Sequence, residues 1–258
     1  MSRIGERFAR LGGERRKAFV AFVTAGDPSL DRTVESALEM EKAGVDVLEL
    51  GIPFSDPLAD GPVIQRASER ALRRGVTLER VLDAVRRVRQ TSELPLLLFS
   101  YFNPLYRYGL ERLTRAARDA GADGVLVTDL PPEEANGWLD HARAAALDTV
   151  FLAAPTSPDE RLRRVAAASR GFVYAVSRTG VTGERDALSD DARPLVARLK
   201  QLTDEPVALG FGIATPQQVK AAAELADGVV VGSALVRFLE EHPEGDLGAH
   251  VRWLKSAI

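Results

Sequence analysis

One regularity constrains this chain more than any other: short apolar runs and longer amphipathic stretches alternate from end to end. Runs rich in Val, Leu and Phe occupy residues 18–24, 45–51, 95–101, 124–129, 149–153, 172–177, 206–211 and 228–232. They are apolar without clean alternation, the signature of strands buried on both faces. The stretches between them carry helical periodicity, among them 30–43, 78–91, 110–120, 133–145, 159–168, 191–202 and 216–226. Two junctions share a pattern, Ala43-Gly44-Val45-Asp46 and Ala120-Gly121-Ala122-Asp123, with Leu225-Ala226-Asp227-Gly228 as a variant. Glycine in such a junction closes a helix in the left-handed conformation and turns the chain into the sheet.

Recurring strand–helix units with short return turns imply a parallel sheet. Eight of them in 258 residues favour a closed (β/α)8 TIM barrel over an open doubly wound sheet. Residues 2–11 read as an extra N-terminal helix that could cap the barrel's lower end. No linker or low-complexity tract interrupts the pattern, so residues 1–258 read as a single domain.

Composition narrows the function. Basic and acidic residues nearly cancel, leaving a net charge of −3, which argues against a nucleic-acid partner. The absence of cysteine removes disulfides, thiolate metal sites and a cysteine nucleophile. Three histidines, His141, His242 and His250, have no metal-site spacing and read as solvated. The charged N-terminus lacks an apolar signal region, and no run reaches the roughly 18–20 apolar residues of a membrane span. These features predict a soluble, cytoplasmic chain without a metal site.

In such barrels chemistry sits at the C-terminal ends of the strands. There the second run ends in Glu49-Leu50-Gly51-Ile52-Pro53-Phe54-Ser55-Asp56-Pro57-Leu58-Ala59-Asp60-Gly61-Pro62. Glu49 points either into the barrel or at the helix layer. Inside an apolar mouth its pKa would rise, which suits acid–base work, but a buried ion pair is an equal alternative. Asp60 is either a functional carboxylate or a turn former and helix cap. Gly210-Phe211-Gly212-Ile213 after the seventh run, and Val231-Gly232-Ser233 after the eighth, each open a helix. Backbone N–H groups of Gly212, Ile213, Gly232 and Ser233 could hold a phosphate there; ordinary glycine turns are the alternative. The polar loop Ser177-Arg178-Thr179-Gly180-Val181-Thr182-Gly183 is a candidate lid.

The run from Glu49 to Pro62 resembles the second strand and loop of tryptophan synthase alpha chains. Residues 18–28, 177–183 and 210–213 resemble that family's first strand, sixth loop and phosphate loop, and the match runs through the whole chain in register. The resemblance implies retro-aldol cleavage of indole-3-glycerol phosphate to indole and glyceraldehyde 3-phosphate, with Glu49 and Asp60 catalytic. It also implies that Thr182 meets Asp60 on lid closure and that Gly183 adds an N–H to the phosphate. Phe22, Tyr174 and Phe211 would line the indole pocket or its approach, with Tyr101 and Thr128 nearby. It implies no cofactor in this chain. The expected partner is a β subunit carrying pyridoxal phosphate, in an α2β2 heterotetramer, facing loop 2, residues 103–106 and residues 129–131. The stretch Glu184–Leu188 is short beside some family members, a departure that bears on the lid.

Other phosphosugar barrels place Lys, Cys, Asp or His at strand ends in patterns absent here, and a purely scaffolding subunit would not need both carboxylates. Glu49→Gln is expected to retain phosphate-dependent binding while losing turnover, measured by ligand titration alongside indole release; retained turnover would remove Glu49 from its role.

Overall fold

The structure, a computed structural model, describes residues 2–176, 191–210 and 212–258. Its strands are β1 (Ala18–Thr24), β2 (Val47–Gly51), β3 (Leu96–Ser100), β4 (Gly124–Val127), β5 (Asp148–Val150), β6 (Leu152–Ala153), β7 (Val173–Val176), β8 (Val207–Gly210) and β9 (Gly228–Val231). All pair in parallel, in the order β5-β4-β3-β2-β1-β9-β8-β7-β6. Only Phe151 separates β5 from β6, and its carbonyl accepts the Tyr174 N–H at 3.1 Å. The two ends of the sheet are therefore consecutive pieces of one strand, and the ring closes with eight strands. Each of the eight expected runs supplies one.

Helices fill the connections. α1 (Arg3–Gly13) precedes the barrel; α2 (Leu30–Lys42), α3 (Pro62–Arg73), α4 (Leu78–Arg89), α5 (Phe102–Tyr108), α6 (Leu110–Ala120), α7 (Asn136–Ala144), α8 (Asp159–Ala168), α9 (Ala192–Lys200), α10 (Pro216–Leu225), α11 (Ser233–Glu241) and α12 (Leu247–Lys255) follow in turn. The helix expected over 133–145 divides into a 3-10 turn, Pro132–Glu134, and α7, because Ala135 between them leaves the α conformation at φ −89°, ψ 1°. The short helix α5 is not apparent from periodicity. Its Pro104 stands in the first turn, where a missing N–H breaks no helical bond.

The residues sort into two apolar sets. Outward-facing strand residues such as Phe19, Leu48, Leu98 and Val229 pack against the helices. Inward-facing Val20, Phe22, Val47, Leu97, Phe99, Leu126, Val150, Phe172, Tyr174 and Val230 fill the barrel. The N-terminal helix closes this inner set from below. Its stripe Ile4, Phe8 and Leu11, at the i, i+4, i+7 spacing of one helix face, is buried, and the Phe8 and Phe172 rings lie 5.5 Å apart.

The Gly-x-Asp junctions have a role at this lower end. Gly44 and Gly121 adopt φ of +90° and +94°, so glycine there is a conformational requirement. The third junction ends instead in extended backbone at Ala226. In all three the aspartate forms a two-bond ring with the neighbouring strand. Asp46 with Phe19, Asp123 with Leu96 and Asp227 with Val207 each donate a backbone N–H to that residue's carbonyl and accept its N–H on a carboxylate oxygen. Such rings set the register of the strand pairs they join, near the point where those strands begin.

The solvated reading fails for one histidine. His250 stacks on Phe238 with centroids 4.4 Å apart, and its buried Nε2 has no hydrogen-bond partner, because α12 folds back against α11.

Asp123 is the most heavily engaged of the junction aspartates: it also binds Arg3 at 3.0 Å and Arg89 at 3.1 Å while almost fully buried. Asp123→Ala is expected to cost about 3 kcal/mol, the penalty for stranding a buried cation. Urea unfolding would measure this, with turnover of the folded fraction unchanged because the opposite end of the barrel is undisturbed.

Candidate active site

At the C-terminal mouth a cavity open to solvent is lined by Phe22, Glu49, Asp60, Ile64, Phe99, Tyr174, Gly212, Ile213, Val230, Gly232 and Ser233. Wider clefts lie at the lower end around Ser2, Asp148 and Arg170, far from the strand ends where loops and helix termini converge. Strand alternation brings the mouth residues together. On β2, Val47 and Glu49 share the inward side, and Glu49 stands in register with Phe22 on β1 and Leu97 on β3. Two glycines make room for the cavity's aromatic wall. A Cβ at Gly51 would lie 2.6 Å from the Phe22 ring, and one at Gly210 would lie 2.3 Å from the Tyr174 hydroxyl.

Glu49 is 1% exposed. Its Oε1 has no hydrogen-bond partner, and no Lys or Arg among the described residues pairs with it, so the ion-pair alternative lacks a cation. Burial pushes its pKa up to about 8. Water no longer solvates the carboxylate, so the neutral acid is favoured.

Asp60 reaches the same cavity from the loop after β2. The capping alternative fails here: Gly61 occupies the N-cap of α3, and no side chain caps that helix. The Tyr101 hydroxyl instead donates to Asp60 Oδ2 at 3.1 Å and accepts the Ala59 N–H at 2.9 Å. Burial raises the Asp60 pKa to about 6, with the Tyr101 hydrogen bond opposing. Tyr101 is both buried and engaged with a site residue. Thr128 directs its hydroxyl to the Ser100 carbonyl at 3.2 Å and is absent from the cavity wall.

The two helix starts expected to grip an anion differ. At α10, Thr215 and Gln218 form a capping box, and Gln218 Oε1 also accepts the Ala214 N–H at 2.7 Å. At α11 the N-cap is Gly232, without a side-chain hydrogen bond. The positive end of α11 is thus offered to the cavity beside Gly212, which holds φ +77°, a combination suited to an anionic group. Thr182, Gly183 and Phe211 lie outside the described residues. Ile64, Phe99 and Val230 also line the cavity but were not foreseen. Alternation along β3 and β9 marks Phe99 and Val230 as inward; nothing local marks Ile64, which enters because α3 packs across the mouth.

Two buried carboxyls in an apolar cleft, beside an uncapped helix terminus at the mouth of a parallel barrel, form the setting in which barrel enzymes of small phosphorylated substrates carry their sites. Comparison with known proteins narrows the class. The family described as tryptophan synthase alpha chain matches residues 8–255. The tryptophan synthase alpha chain of Solibacter usitatus is 52% identical over 244 residues, covering 95% of this chain and 91% of that one. The alpha chain of Geotalea uraniireducens is 49% identical over 263 residues, covering 100% and 98%. Mycobacterium tuberculosis tryptophan synthase superposes with a TM-score of 0.93 at 40% identity, covering 100% and 98%. The alpha subunit from Legionella pneumophila superposes with a TM-score of 0.90 at 38% identity, covering 100% and 97%.

The chain belongs to the tryptophan synthase alpha chain family. It is a lyase that cleaves indole-3-glycerol phosphate in tryptophan biosynthesis. The family needs no cofactor, and the pyridoxal phosphate of tryptophan synthase lies in the β subunit. Among the described residues no helix is long and apolar enough to cross a membrane.

The raised pKa of Glu49 has a consequence for stability. Because its folded value lies above the ordinary 4.5, its contribution is fully present below about pH 4.5 and is lost as pH rises towards 8, with a slope of at most about 1.4 kcal/mol per pH unit. Urea midpoints of the wild type should therefore fall relative to Glu49→Gln between pH 5 and pH 8; parallel curves would show that Glu49 ionises normally.

Proposed function

We propose that Glu49 is the proton-transfer group of the cleavage and that Asp60 stabilises the charge developing on the indole ring. The observation that carries this reading is the unequal surroundings of two carboxyls in one cavity: Glu49 is buried with an unpartnered Oε1, which pushes its pKa up to about 8, whereas Asp60 keeps the Tyr101 hydroxyl as a donor and rises to about 6. Near neutrality this difference leaves the proton on Glu49 and the charge on Asp60, and a pair of carboxyls driven apart in this way divides acid and base roles between them.

The chemistry balances with those two groups. Glu49 gives its proton to indole C3, and the ring nitrogen takes on positive charge. Asp60, hydrogen-bonded to the ring N–H, stabilises that charge. The Glu49 carboxylate then accepts the proton of the glycerol hydroxyl next to C3. As that oxygen becomes an aldehyde, the carbon–carbon bond breaks and its electron pair returns to the ring, neutralising the nitrogen. Glu49 ends as it began, protonated. Phe22 and Tyr174 form apolar wall for the ring, and Gly212, Ile213, Gly232 and Ser233 hold the phosphate at the start of α11.

The partner side of the proposal draws on the surface around the mouth. Leu58 in the loop after β2 is 85% exposed and Tyr106 on α5 is 65% exposed. Large exposed apolar groups beside a site suit a protein contact. We assign them to a β subunit that receives the indole, in an α2β2 assembly of single-domain chains in the cytoplasm.

The test is indole release from indole-3-glycerol phosphate by the purified chain, with and without β subunit, as a function of pH. The expected kcat/KM profile is a bell, rising through about pH 6 as Asp60 ionises and falling through about pH 8 as Glu49 does. A profile flat on both sides would overturn the assignment of roles, and no indole in either preparation would overturn the activity.

A further inference from the structure

Arg70 joins three pieces of the barrel mouth without touching the cavity. It lies on α3, the helix that Asp60 leads into. Its Nε and Nη2 donate to Asp27 Oδ1 and Oδ2 at 2.8 and 2.6 Å, a bidentate grip on the loop after β1. Its Nη1 donates to Glu240 Oε1 at 2.6 Å. Glu240 stands on the last turn of α11, the helix whose uncapped start lines the cavity. Arg66, one turn earlier on α3, binds the same carboxylate at 2.9 and 2.7 Å. The Asp27 side chain is 4% exposed and that of Glu240 24% exposed. Hydrogen bonds from Arg66 and then Arg70 hold the Glu240 carboxyl down at about 2, so Glu240 stays charged at any working pH. Beneath it, Val63, Ile64 and Ala67 of α3 and Val236 of α11 belong to one apolar cluster.

A helix of nine residues is a stiff rod of about 13 Å at 1.5 Å per residue. Its far end therefore sets the direction in which its first N–H groups point. Apolar packing against α3 tolerates sliding; the bidentate pair with Asp27 fixes the Arg70 guanidinium in angle as well as distance, and its third nitrogen holds Glu240 from that fixed point. We propose that Arg70 is a positioning residue: the Asp27–Arg70–Glu240 bridge aims the open N-terminus of α11 at the cavity and so sets affinity for the phosphate end of the substrate. This rests on the assignment of that terminus as the phosphate site.

The experiment compares Arg70→Lys and Glu240→Gln with the wild-type full chain, using glycerol 3-phosphate and indole as separate binding probes and indole-3-glycerol phosphate for kinetics. Both variants are expected to raise the glycerol 3-phosphate Kd and the substrate KM about tenfold, as misplacement of fixed binding groups does. Indole affinity and kcat should stay within about twofold. Glycerol 3-phosphate binding that stays within about twofold, or indole binding weakened equally, would overturn the proposal. Ser233→Asp, which sets a negative charge at the helix start, separates the two assumptions. If it leaves glycerol 3-phosphate binding unchanged, the phosphate-site assignment fails and the proposal with it; if it abolishes binding while the bridge variants do not respond, only the bridge proposal fails. Should Arg70→Lys not fold because Asp27 loses its partner, Glu240→Gln, which leaves Asp27 paired, decides the question.

Discussion

Closure of eight parallel strands into a ring divides every strand into residues that face the helices and residues that face the barrel interior. That parity puts Glu49 among Phe22, Leu97, Phe99 and Tyr174 rather than among the helices. Burial there takes its carboxylate out of solvent contact, and no described cation pairs with it. The raised pKa of Glu49 thus follows from barrel closure, which depends on Phe151 keeping β5 and β6 within a single strand. The lower end serves the same constraint: the three junction aspartates fix the register of the strand pairs they join, and α1 packs onto the inner cluster from below.

The two ends of the barrel divide their duties in physical terms. At the lower end polar groups are satisfied almost completely: carboxylates are ringed by backbone N–H groups and guanidinium donors, as at Asp123. At the mouth the balance is reversed. Glu49 Oε1 has no partner, Asp60 is buried with a tyrosine hydroxyl as its side-chain donor, and α11 starts without a cap. In the proposed reading, substrate supplies the proton acceptor, donor and anion that these groups lack. The ion-pair bridge from Asp27 through Arg70 to Glu240 lies between the two regimes, fully satisfied itself yet attached to a helix whose other end is not.

How far the sequence could be read depended on the range of the interactions involved. The eight strands were legible because an apolar run between amphipathic stretches is a local pattern, and the left-handed glycines Gly44 and Gly121 were legible from their spacing. The boundaries of α7 and the existence of α5 were not, since Ala135 and Pro104 act through conformations that periodicity does not encode. The solvated reading of His250 failed because its neighbour Phe238 lies on another helix. Tyr101 could be placed near the site, but its hydroxyl's contact with Asp60 spans 41 residues of chain.

The carboxylates themselves mark the boundary. The sequence by itself determined that a Glu ends the second strand and that an Asp follows in a proline-rich loop; with the flanking residues, that motif determined the family. It left Glu49 open between acid and ion pair, and Asp60 between reactant and helix cap. Only the tertiary structure decided: Glu49 faces inwards with no described cation, and Gly61 rather than Asp60 caps α3. The reason is that acidity and hydrogen bonding depend on what surrounds a group in space, and those surroundings are assembled from β1, β3, β7 and α11, which the chain brings together only when the ring closes.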